Sequence, residues 1–148
     1  MIGRAALMAA ALAACAAPGA AQQVQDCGWY TSAAFLAEPW AENTRTFANG
    51  AVRIALIDTV EPAAGAYRLL ILSPPYSELG ERQCAVVGGD EGGFSAFRFN
   101  ALEAGYDPAR GLIFSAPINQ LVAGDFEPGV LTVVLNQATG EITARVDP

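Results

Sequence analysis

Residues 44–75, TRTFANGAVRIALIDTVEPAAGAYRLLILSPP, constrain the fold more than any other stretch of the chain. Val52, Ile54 and Leu56 alternate with Arg53, Ala55 and Ile57. Further on, Tyr67, Leu69 and Ile71 alternate with Arg68, Leu70 and Leu72. A period of two puts these sets on opposite faces of two strands, and both faces are apolar. Strands of this kind are interior and covered on both sides. Asn49-Gly50 precedes the first strand between β-formers, which predicts a hairpin with a type I′ turn. Pro62 and Gly65 separate the two strands. Ser73-Pro74-Pro75 ends the second, since proline cannot donate to a ladder.

Further strands are predicted over 83–87, 94–100, 112–118, 131–136 and 141–146. Asp107-Pro108-Ala109-Arg110-Gly111 and Asn136-Gln137-Ala138-Thr139-Gly140 read as type I turns, each closed by a left-handed glycine. Residues 119–129 contain Gly124, Pro128 and Gly129 and read as a loop. Thr31 or Ser32 caps a short predicted helix through Ala37, with Phe35, Leu36 and Trp40 turned inward and Pro39 ending it. Asn100 caps one helical turn through Ala104. The fold class that results is all-β and mostly antiparallel, with about seven or eight short strands and one or two short helical turns. It is a compact β-sandwich or a flattened β-barrel, and the pattern does not choose between them.

The first 21 residues read as a leader rather than as part of the fold. Arg4 gives a positive start, AALMAAALAACAA an apolar run, and Pro18-Gly19-Ala20-Ala21 a small-residue cleavage region. The run is about 13 residues, short of the roughly 20 that span a bilayer. This divides the chain into a signal peptide, 1–21, and a single β-rich domain, 22–148, with the folded part expected to start near Gln25. Leu12-Ala13-Ala14-Cys15 also reads as a lipobox, in which Cys15 is lipidated and becomes the mature N-terminus. Both readings stay open, and both predict export to the periplasm, the envelope or the medium. Cys27 and Cys84 then remain as an even pair in an oxidising compartment and are expected to form a disulfide.

The chain has no His and no Lys, which excludes Ser-His-Asp and Cys-His arrangements, Schiff bases and imidazole metal sites. What remains for acid–base work is carboxylate: Asp58, Glu61 and Glu78 around the central strands, and Asp107 and Asp125 in later loops. Their spacing marks no pair, so solvated loop carboxylates are the expectation. Residues 88–93, Gly-Gly-Asp-Glu-Gly-Gly, suit a hairpin turn, with calcium as the alternative because its ligands are hard oxygens. Trp29, Tyr30 and Trp40 suit core packing, with a stacking platform for a sugar or peptide as the alternative. Arg45 and Arg53 flank the Asn49-Gly50 turn and are expected to face each other or to pair with nearby acids. Removing Arg4 with the leader leaves seven Arg against 15 acidic residues, a net charge of −8. That balance argues against nucleic acid and anionic membranes; it suits solubility, with an acidic face docking a basic partner as the alternative.

The segments NTRTFANGAVR, LIDTVEPAAGAY, LSPPYSELGERQC and ALEAGYDPARGL resemble those of a family of small exported bacterial proteins of unassigned function, over most of the mature chain. The resemblance implies export and a compact domain, and carries over no activity and no site residue. The functional expectation is therefore a non-enzymatic, exported β-domain, periplasmic or envelope-associated, without cofactor. It binds a protein, such as a basic periplasmic or secreted one, or an envelope component. A small β-barrel holding an apolar ligand and a carboxylate-based envelope glycan hydrolase are the alternatives.

Overall fold

A computed structural model describes residues 20–88 and 92–148, in which eleven strands form two antiparallel sheets. In chain order they are β1 (Ala20–Ala21), β2 (Val24–Asp26), β3 (Thr44–Phe47), β4 (Val52–Asp58), β5 (Tyr67–Tyr76) and β6 (Arg82–Val87). There follow β7 (Ala96–Phe97), β8 (Glu103–Asp107), β9 (Gly111–Val122), β10 (Asp125–Leu135) and β11 (Ile142–Asp147). One sheet runs β2-β6-β5-β4-β3. The other runs β1-β11-β10-β9-β7, with β8 also on β9. Each sheet ends in free edges, so the architecture is a sandwich and not a barrel. The strand number exceeds the expected seven or eight, chiefly because β1, β2 and β7 are two- or three-residue pairings without a pattern of their own.

The doubly apolar reading of 52–58 and 67–73 holds. Val52, Ile54, Leu56, Leu69 and Ile71 face the other sheet and meet Phe114, Ile118, Leu131, Val133, Leu135 and Val146 in the main core. Ala55, Ile57 and Leu70 point the other way and join Val86 in a second core. Its cover is the N-terminal segment, where Cys27, Tyr30, Phe35 and Leu36 lie against the sheet. The Cys27–Cys84 disulfide fixes that cover to β6, across a sequence separation of 57. Backbone bonds continue the attachment: Leu36 bridges Ile57, and Ala37 N–H donates to Leu56 O at 2.9 Å.

Several local expectations give way to longer-range contacts. No α-helix forms over 31–37: the segment makes two 3-10 turns, Trp29–Thr31 and Ala33–Phe35, separated by extended Ser32. The extended bridge from Leu36 to Ile57 of β4 takes the backbone there out of helical geometry. Trp40 is exposed rather than turned inward. Residues 94–100 give only β7 and a 3-10 turn, Phe99–Ala101, and the predicted helical turn through Ala104 is replaced by β8. Strand pairing also begins at Ala20, ahead of Gln25: β1 pairs β11, and Gln22 N–H donates to Ala144 O at 2.9 Å.

The turns show which local signals decide. The Asn49-Gly50 hairpin forms, but the register Phe47↔Val52 leaves four residues in the loop, not a two-residue type I′ turn. Ala48, Asn49 and Gly50 all have positive φ, at 51°, 55° and 84°. The two Gly-closed turns are as expected. Asp107 O accepts from Arg110 N–H at 3.1 Å, and Gly111 has φ 107° with its Cα hydrogens against Leu135 O, where a Cβ would not fit. At the second turn, Asn136 Oδ1 accepts from Ala138 and Thr139 N–H groups, and Gly140 has φ 79°.

Candidate binding surfaces

The segment 119–129, expected to be a loop, is instead the far end of the longest hairpin in the described chain. β9 and β10 pair in unbroken register from Leu112↔Leu135 to Val122↔Asp125. Their two-residue turn is Ala123-Gly124, with φ 52° and 96°, the backbone pattern of a type I′ connection. The proline that suggested a break, Pro128, sits where a strand loses nothing by it. In an antiparallel strand the N–H and C=O of one residue point to the same side. Asn119 O accepts from Ser95, so Asn119 is turned away from β10, and its cross-strand partner Pro128 faces the opposite edge. β11 begins pairing only at Val130, so no acceptor waits for a Pro128 N–H. Pro117 is turned to the other edge, in the gap between β8 and β7, where its oxygen accepts from Arg98.

Beyond Ile118↔Gly129 the hairpin has no other strand alongside except β7 at Asn119, and it projects as an arm about 13 Å long. One face carries the cross-strand pair Leu121–Phe126, in line with Pro117–Val130 and Ile113–Val134 on the outside of the six-stranded sheet, with Asn119–Pro128 and Ser115–Thr132 between them. Phe126 is 60% exposed and Val130 42%. The opposite face carries Asp125 and Glu127 beside Val122 and Gln120. Nearer the body, Arg110 and Arg145 are ion-paired with Asp107 and Asp147, both at 2.9 Å, and among the described residues these are the only ion pairs. The arm is therefore apolar on one side and carries two unpaired carboxylates on the other.

The carboxylates singled out from the sequence do not assemble. Glu61 follows β4, Glu78 lies in the 77–81 turn, Asp107 ends β8, and Asp125 is on the arm. Hydrogen bonds from the Arg110 side chain and the Ala109 N–H hold the Asp107 carboxyl below the usual carboxylate range. Asp58 uses Oδ1 to accept from Val60 N–H at 2.8 Å and lines an open cleft of about 390 Å³. Glu38 and Arg98 line the same cleft. Neither carries a local sequence signal, and only the meeting of the two sheets brings them together. Among the described residues no group of three His, Cys, Asp or Glu side chains is placed to hold a metal ion. Gly89, Asp90 and Glu91, the centre of the predicted calcium or hairpin turn, lie outside the described residues, as do the leader through Gly19 and Cys15.

The arginines behave differently from the expected ion pairs. Arg45 is opposite Ile54 and Arg53 opposite Thr46, so the two point to different faces and do not meet. Arg45 donates to Leu102, Phe99 and Asn100 oxygens at 2.6, 3.3 and 3.3 Å, tying the edge of one sheet to the other. Arg82 likewise donates to Ala51 and Gly50 oxygens. Trp29 stands nearly perpendicular to Tyr30 and Phe35, at 81° and 80°, so these rings form an edge-to-face cluster and not a flat platform. No helix among the described residues is long and apolar enough to cross a membrane. No family model, curated protein or solved structure matches the chain.

Proposed function

We propose that this is an exported, non-enzymatic binding domain that engages a basic protein of the same compartment through the β9–β10 arm. The apolar leader and the Cys27–Cys84 disulfide support export. The observation that carries the binding role is the arm itself. It exposes Phe126 clear of the sandwich, with Val130 exposed on the same face nearer the body, and the chain spends an unbroken ladder to do so. Isolated apolar side chains on a surface are ordinary, but an aligned stripe on a projecting element marks an interaction site. Asp125 and Glu127 on its other face, in a chain of net charge −7, complement a cleft with one apolar and one basic wall.

Binding by such an arm rests on a few anchors. Phe126→Ala is expected to weaken the complex at least tenfold, about 1.4 kcal/mol. D125N with E127Q is expected to slow association and flatten its dependence on salt. All three positions are exposed, so the folded state changes by no more than about 0.5 kcal/mol. Titration of the partner against these variants checks both effects. Unchanged affinity for Phe126→Ala contradicts the assignment of the arm.

A further inference from the structure

The cleft holding Asp58 lies at the seam between the sheets, and its β7 side pairs with Ile118 and Asn119 at the base of the arm. Its carboxylate wall belongs to the five-stranded side, with Asp58 at the end of β4 and Glu38 on the segment bonded to that strand. Its cationic wall is Arg98, immediately after β7 of the six-stranded sheet. Buried Leu56 and Phe97 line the cleft as well, beside the polar Asn43, Tyr67 and Ser95. The backbone on both walls is fixed: Leu56 N–H donates to Asn43 O at 2.9 Å, and Arg98 N–H donates to Pro117 O at 3.0 Å.

The charges on the two walls do not pair with each other. Neither Glu38 nor Asp58 makes an ion pair with Arg98, although the three share a cleft of about 390 Å³. Arg45, Arg68, Arg82, Arg110 and Arg145 all donate to oxygens of the chain, whereas among the described residues Arg98 and Arg53 make no side-chain hydrogen bond or ion pair, and of these two only Arg98 lines the cleft. Opposite charges that share a cleft without pairing, beside Leu56 and Phe97, match a ligand that carries both charges and an apolar body. The volume falls within the range of small-molecule sites.

We propose that this cleft binds a small zwitterion, an amino acid or a dipeptide, with its ammonium toward Asp58 and Glu38 and its carboxylate toward Arg98. Charge-assisted hydrogen bonds at both ends set the orientation, and Leu56, Ala96 and Phe97 take the side chain. The test is a titration of the folded protein followed by amide chemical shifts. The ligands are leucine, leucyl-leucine, and the singly charged analogues isopentylamine and N-acetyl-leucine. Saturable shifts are expected at Leu56, Asp58 and Arg98 with at least one zwitterion, and which of the two binds separates the free amino acid from the peptide. Each singly charged analogue is expected to bind about tenfold more weakly, since one charge-assisted bond is lost. R98Q and D58N are expected to lose about the same factor, and R53Q, remote from the cleft, none. Absence of saturable shifts with both zwitterions at millimolar concentration overturns the proposal, as does equal binding by the amine or by R98Q.

Discussion

The two sheets bury their inner faces against each other, but their outer faces are treated in opposite ways. On the five-stranded sheet, Ala55, Ile57, Leu70 and Val86 are roofed by the chain's own N-terminal segment, and a disulfide fastens the roof. On the six-stranded sheet, Ile113, Ser115, Thr132 and Val134 stay half-buried, and the same face runs out onto an arm with exposed Phe126. An apolar outer face can thus be covered from within or left for another molecule. The chain commits a covalent bond and an aromatic cluster to the first and a projecting hairpin to the second. Under the proposed function, stability rests on one outer face and recognition on the other.

Breaking the roof tests the first half of that assignment. Replacing Cys27 and Cys84 together by Ser is expected to cost about 4 kcal/mol, from the loop-closure entropy of a 57-residue separation. Hydrogen exchange is expected to rise first over 27–43 while β9 and β10 stay protected. A smaller cut separates the two faces directly. Ile57→Ala, fully buried under the roof, is expected to cost about 3 kcal/mol by denaturant titration. Val134→Ala, at the matching depth of the open face, is expected to cost less than about 1 kcal/mol. Equal losses would mean that the open face is covered too.

The smallest effect concerns charge near the base of the open face. The Asp107 carboxyl is held low by Arg110, so its contribution is present above the unfolded-state pKa and fades as the pH falls through the folded value. An NMR titration is expected to place Asp107 below an ordinary Asp, and R110Q to return it toward the ordinary value. No such movement would show that the pair at 2.9 Å does not persist in solution.

The roofed half of the molecule was legible in the sequence because its signals are local. Both phases of apolar alternation in 52–58 and 67–73 announced two covered faces, and an even pair of cysteines beyond the expected leader announced their bond. The turn at Asp107 and its counterpart at Asn136 were legible for the same reason, since each side chain caps its own loop. The arm was not. Pro128 and Gly129 look like breakers, and whether a proline breaks a strand depends on which edge its nitrogen faces and what lies there. That is set by where β11 stops, not by any residue nearby. Arg45 misled in the same way: its acceptors are backbone oxygens 54–57 positions away. The cleft residues Glu38 and Arg98 belong to different sheets and share no spacing that a linear reading could find.

The most direct test is a photocrosslinking residue placed at Phe126, compared with one at Leu79, which is exposed on a turn outside the arm. In the native compartment, the account predicts an adduct with a basic protein from position 126, none from 79, and loss of the adduct when D125N and E127Q are added. Equal adducts from both positions, or none from 126, would contradict it.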